Sequence, residues 1–180
     1  MVVCGINFGL HFYALKGGIK NYLSDDETRT YLVILCVAAL ITSVSLIAFD
    51  RCDTLDALRG SFFTVVSIFT TTGFTTEDFT QWPSILPYMI FFGAFLGACA
   101  GSTGGGMKIM RVLLIWKQGI REIFRLIHPN AMFPVKVNHR PVSRGVIEAI
   151  WGFFSVYVIL FVALHLIMIG LGTVSYTHLR

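Results

Sequence analysis

The sequence runs to 180 residues, 55% of them hydrophobic and 13% charged, with a formal net charge of +4. Soluble domains average about 25% charged residues, so the polar surface of a water-soluble protein is missing, and a mean hydropathy of +0.73 points to lipid as the solvent for much of the chain. Cys4, Cys36, Cys52 and Cys99 show no CxxC spacing, which argues against a zinc or disulfide framework, and no Ser/His/Asp, Cys/His or paired-carboxylate arrangement falls in an apolar run, so no enzyme is expected.

The opening MVVCGINFGLHF has neither a basic n-region nor a small-residue cleavage site, so no signal peptide is expected there. Residues 31–49 are 19 residues without a charge, long enough for a hydrocarbon core of about 30 Å at about 1.5 Å per residue. Residues 53–69 (DTLDALRGSFFTVVSIF) predict a helix capped by Asp53 or Thr54. Asp56 falls in its first turn, and Phe62, Phe63, Val65, Val66 and Phe69 make the rest apolar. From residue 55 onward it is about 22 Å long, short of a crossing.

That helix runs into Thr70-Thr71-Thr72-Gly73-Phe74-Thr75-Thr76, then the acidic Glu77-Asp78, with Trp82 and Pro83 opening the next apolar run. Trp favours the membrane interface, so both ends of 53–80 belong on one side and the segment enters and returns. Non-helical backbone survives at membrane depth only where protein buries it or it lines a wet cavity. A Thr/Gly stretch suits a cation path. Carbonyl oxygens replace the ion's water, threonine hydroxyls add oxygens or brace the loop, and Gly73 can turn a carbonyl inward. The helix C-terminus adds partial negative charge. The plainer reading is an amphipathic helix outside the membrane followed by a Thr-rich loop.

Residues 83–116 are apolar but broken by GACAGSTGGG at 97–106. A straight helix over them would be about 51 Å long, too long for one crossing. Gly101 and Gly106 have the spacing of a phosphate loop, but Met107 stands where its lysine must be, Ile109 follows Lys108, and no strand precedes them. A membrane-embedded phosphate-binding enzyme is therefore a minor alternative. Two readings stay open: a plain helix break, or a flexible segment below the filter that blocks the path and moves aside. In the second, Lys108 and Arg111 anchor the loop's end or repel cations below it.

Between 108 and 144 eight Lys or Arg face one acid, Glu122, whereas 50–82 carries two basic residues against five acids. Basic loops stay in the cytoplasm, which puts 108–144 inside, along with Lys16 and Lys20, and 50–82 outside; the basic stretch also suits anionic headgroups. His128-Pro129-Asn130 ends a cytoplasmic helix running from Lys117. Residues 146–172 form a second long apolar run, interrupted by Glu148 and His165. Intramembrane ionisable groups are functional candidates, but a neutral His165 donating to a neighbouring helix is the simpler expectation. Glu148 is expected beside Arg144 as a surface pair.

The segments TTTGFTTEDFTQWP, FGAFLGACAGSTGGGMKIMR and KQGIREIFRLIHPNA together resemble the TrkH family, the potassium-translocating membrane subunit of bacterial Trk and Ktr-type uptake systems. The resemblance implies an all-α membrane protein built from four repeats of helix, pore helix with filter loop, and helix around one pore. Residues 1–30 are then the end of one repeat and a cytoplasmic linker, 31–117 a complete repeat, 118–145 a basic connection and 146–173 the first helix of the next repeat. The tail 174–180 (VSYTHLR) does not look like the family's continuation, and the chain is expected to be a fragment. By the same resemblance Thr71, Thr72, Gly73 and Phe74 line a quarter of the filter and hold K+ through backbone carbonyls. Gly97, Gly101, Ser102, Thr103, Gly104, Gly105 and Gly106 form the gating loop, with Lys108 and Arg111 as cytoplasmic anchor. The implied function is potassium uptake, channel-like or by symport, with sodium or another monovalent cation as the alternative. The implied location is the bacterial inner membrane, multi-pass, with lipid contact. A second copy and a cytosolic nucleotide-binding regulatory subunit (TrkA-like) are the implied partners, with no nucleic acid and no organic cofactor.

Overall fold

The computed structural model describes residues 1–18, 22, 24–49, 54–76, 78–83, 85–128, 133–138 and 140–170. Asp53, the side chain of Thr54, Lys20, Cys52, Glu77, Pro129, Asn130 and the tail 174–180 lie outside the described residues, and with them the expected cap of the helix at 53–69.

In chain order the helices are α1 (Phe8–Gly17), α2 (Asp26–Ala48), α3 (Thr54–Phe69), α4 (Leu86–Leu96), α5 (Ile109–Ile127) and α6 (Arg144–Gly170), with a two-stranded hairpin, β1 (Lys136–Val137) and β2 (Arg140–Pro141), before α6. Only α2 and α6 are long and apolar enough to cross a membrane among the described residues. Asp25 starts α2 by accepting both the backbone N–H and the hydroxyl of Thr28 at 2.8 Å, an N-cap that satisfies an orphan donor. Pro87 sits in the first turn of α4, and Gly97 closes that helix at φ +72°, where a residue with a Cβ is strained.

Small residues let α2 and α3 approach closely. Ala38, Ala39, Ser43 and Ser61 are all buried, and the Ser43 and Ser61 hydroxyls meet at 2.5 Å. Ser43 also donates to the Ala39 carbonyl, so neither hydroxyl is buried without a partner.

Two apolar clusters fix the path of the chain between α2 and α4. Leu46 near the end of α2, Ala57 near the start of α3 and Leu86 at the start of α4 pack together, with Trp82 against them. Val65 and Phe69 at the other end of α3 pack instead on Leu35, Ala38 and Ala39, halfway along α2, and on Ala98 and Cys99 of the glycine segment. The chain from 54 to 82 therefore runs about half the length of α2 and returns to the end it left. A third cluster of Leu114, Val135, Val137 and Ile147 joins α5, the hairpin and the start of α6. Among its described side chains α6 buries only Ile147 and offers lipid or other protein a long apolar face.

Three expectations need adjustment. The helix expected to begin at Lys117 is continuous from Ile109, so the apolar run after the glycines and the basic stretch form one amphipathic helix. The apolar run expected at 31–49 lies in a helix that starts five residues earlier, at Asp26, and ends at Ala48. Among the described residues no ion pair joins Glu148 to Arg144; both are exposed, where such a pair gains little over hydration.

Candidate functional site: the loop after α3 and the glycine segment beneath it

Helix α3 stops because its own end folds back on itself. The Thr70 hydroxyl donates to the Val66 carbonyl at 2.7 Å and meets the Thr72 hydroxyl at 2.8 Å. The backbone N–H groups of Thr71, Thr72 and Gly73 donate to Ile68, Ser67 and Ser67 at 2.9, 2.8 and 3.3 Å. In a trans peptide the carbonyl points opposite to the N–H it shares a plane with. The carbonyls of Thr70, Thr71 and Thr72 therefore all face away from α3. Among the described residues, no backbone or side-chain donor is spent on them.

Backbone handedness makes this alignment possible. Thr71 has φ +55° and Gly73 φ +81°, while Thr72 between them is not left-handed. For glycine the conformation costs little. For a β-branched threonine it is an outlier that persists only where surrounding bonds enforce it. Phe74 follows with its ring 65% exposed.

The glycine segment lies directly against this loop. The Thr71 hydroxyl accepts the Gly105 N–H at 2.8 Å, and a Cβ on Gly104 would stand 3.4 Å from the Thr70 carbonyl and 2.5 Å from the Ala98 Cβ. Gly97 and Gly106 touch backbone to backbone: a Cβ on Gly97 would lie 2.2 Å from the Gly105 oxygen, and one on Gly106 2.9 Å from the Gly97 Cα. These glycines allow close approach as well as free rotation.

Lys108 and Arg111 hold the segment in different ways. The Lys108 ammonium donates to the carbonyls of Ser102 (3.3 Å) and Gly104, closing the loop on itself. Arg111 donates to the Met107 carbonyl at 3.3 Å and stacks its guanidinium 4.0 Å from the Phe153 ring centroid, tying the loop's end to α6. Ser102 donates to Cys99 O at 2.6 Å and Thr103 to Cys4 O at 3.3 Å, and the Gly101 carbonyl accepts from Phe8 at 3.2 Å. The first residues of the chain thus brace the segment.

His165 stands apart from this site. Its ring stacks on Phe161 at 6.1 Å and lies near Phe91 at 6.3 Å; its described partners are aromatic rings, not the polar acceptor on a neighbouring helix that was expected.

Sequence reasoning passed over Glu27. It is 2% exposed, and its Oε1 accepts the Ala100 N–H at 2.6 Å and the Met110 N–H at 3.2 Å. A signal was present. Glu27, Tyr31, Leu35, Ala38 and Thr42 recur at helical spacing on one face of α2, and all five are buried.

Comparison with known proteins agrees with this architecture. The sequence pattern of the TrkH family, described as a cation transport protein, matches residues 1–179. The chain is 47% identical over 162 residues to the Trk system potassium uptake protein TrkH of Halomonas elongata, covering 89% of this chain and 34% of that protein. It is 41% identical over 174 residues to TrkH of Escherichia coli K12, covering 96% of this chain and 36% of the other. The crystal structure of the potassium transporter TrkH from Vibrio parahaemolyticus superposes with a TM-score of 0.88 at 41% identity, covering 94% of this chain and 37% of that one. The chain thus spans about a third of the length of these relatives.

Proposed function

This chain belongs to the TrkH family of cation transport proteins, and from that premise we propose that the protein it forms part of takes up potassium across a bacterial cytoplasmic membrane. The family transports cations and is not a family of enzymes. Residues 31–117 supply one repeat around the pore, flanked by the end of one repeat and the start of another. The observation that carries the reading is the alignment of the Thr70, Thr71 and Thr72 carbonyls away from α3, at a point halfway along α2.

Three parts cooperate in this mechanism. Carbonyl oxygens of Thr70, Thr71 and Thr72, followed by those of Gly73 and Phe74, replace the water of a dehydrated K+. The C-terminus of α3, which ends at Phe69, directs partial negative charge toward the ion. Below them the segment from Gly97 to Gly106 closes the path and moves aside to open it, held shut by the Thr71–Gly105 bond and by the Lys108 clasp on the Ser102 and Gly104 carbonyls. That clasp occupies the ammonium a phosphate-binding loop would need free.

Basic α5 and the hairpin face the cytoplasm, lipid covers the apolar face of α6, and a second copy and a cytosolic nucleotide-binding ring complete the assembly by family resemblance. Rubidium uptake by the full-length protein tests the filter. Gly73→Ser is expected to lower uptake and the preference for rubidium over sodium; equal uptake and equal preference in both proteins would count against it.

A further inference from the structure

The glycine segment has two limbs, one entering it from α4 and one leaving it for α5, and a single carboxylate oxygen joins them. Ala100 lies on the entering limb and Met110 in the first turn of α5, and both backbone N–H groups converge on Glu27 Oε1. The pin is buried, and Tyr31 one turn along α2, Cys99 beside Ala100 and Ile109 beside Met110 are buried with it. It also supplies what α5 lacks: the N-cap residue of that helix, Lys108, makes no side-chain capping bond to the helix's own N–H groups, so Glu27 serves as an N-terminal acceptor from another helix. Bonds from N–H to a carboxylate are about twice as strong as neutral ones, and deleting a buried acceptor leaves both donors unsatisfied.

We propose that Glu27 is a positioning residue that fixes the resting, path-closing position of the glycine segment by pinning both of its limbs to the start of α2. Among the described residues Glu27 accepts hydrogen bonds from Ala100 and Met110 and none from the loop after α3, so ion preference is outside its reach. The inference rests on the reading of 97–106 as the gate. It predicts that loosening the pin raises leak through the pore without changing which ion passes.

The test is rubidium uptake by the full-length protein in liposomes, without an activating partner and normalised to inserted protein, for Glu27→Ala, Glu27→Gln and Glu27→Asp. A variant with residues 104 and 105 deleted serves as a gate-open control. Glu27→Ala is expected to raise basal uptake on the order of tenfold, with the rubidium/sodium preference unchanged. Glu27→Gln keeps a carbonyl oxygen at the same reach and is expected to restore uptake to near the wild-type value, whereas Glu27→Met, assayed beside it, fills similar space without an acceptor and is expected to leak like Glu27→Ala, which a general packing role would not give. Uptake by Glu27→Ala at or below the wild-type value overturns the proposal, as does a Gln variant that leaks as much as Ala. Should Glu27→Ala not accumulate in the membrane, Glu27→Asp decides. Its carboxylate is about 1.5 Å short and cannot span both donors, so wild-type basal uptake from it overturns the proposal. A leak from the deletion without one from Glu27→Ala refutes the pin alone; no leak from the deletion refutes the gate, and the pin with it.

Discussion

Gly73 and Gly97 both have a positive φ, +81° and +72°, in different surroundings, so one substitution at both sites sets conformational strain alone against strain with steric overlap. A Cβ on Gly73 meets nothing within 4 Å. Gly73→Ala therefore costs only the left-handed conformer, about 1–2 kcal/mol, or about a 5–30-fold loss of the population with aligned carbonyls. A Cβ on Gly97 would lie 2.2 Å from the Gly105 oxygen and 3.1 Å from the Gly106 Cα. Both are backbone atoms, and no rotamer relieves them. Overpacking adds about 1–3 kcal/mol, bringing Gly97→Ala to roughly 2–5 kcal/mol in all. The assay is thermal unfolding of the purified full-length protein alongside rubidium uptake. Gly73→Ala is expected to unfold near the wild-type midpoint with impaired ion preference, and Gly97→Ala to unfold at clearly lower temperature. Equal midpoints for the two variants, or a Gly73→Ala protein less stable than Gly97→Ala, would refute the reasoning.

Thr71→Val keeps the branched shape and removes the acceptor for Gly105; losing a neutral bond of about 0.5–1.5 kcal/mol is expected to raise basal uptake a few-fold, while Thr71→Ser leaves it unchanged. Lys108→Met removes the clasp on the Ser102 and Gly104 carbonyls. Alkylation of the buried Cys99, followed by peptide mass spectrometry, is then expected to run several-fold faster, and an unaltered rate would speak against the clasp. Asn138 holds the hairpin to α2 through Asp25 at 2.6 Å and the Asp26 N–H at 2.8 Å, at φ +48°. Limited proteolysis of 136–141 is expected to quicken in Asn138→Gly, which loses the clasp, and further in Asn138→Ala, which also strains the turn; a Gly variant as resistant as wild type would dismiss the clasp.

The elements that could be read from the sequence were those carried by local signals. Long apolar runs marked α2 and α6, and the shortness of α3 together with the acids and Trp82 after it foretold a segment that returns to its starting end. The break at Gly97 followed from glycine chemistry alone. What escaped depends on distant partners. Two-residue strands carry no periodic pattern, and the hairpin holds because Lys117 reaches Asp26 and the Lys136 carbonyl, both at 2.9 Å. Thr71 defies its own propensity because residues on either side of it impose a left-handed turn, and its hydroxyl meets Gly105, 34 positions away. Glu27 follows Asp25 and Asp26, and three acids in a row read as a solvated helix start; only its phase with Tyr31 and Leu35 betrays that it faces inward.

Peptide oxygens at 70–72 are the groups proposed to hold a bare cation. Anomalous scattering from crystals of the full-length protein grown in rubidium or thallium tests this directly. A peak in contact with the carbonyls of Thr70, Thr71 and Thr72 is the predicted result; bound ions found only elsewhere along the pore, with those oxygens unoccupied, would contradict it.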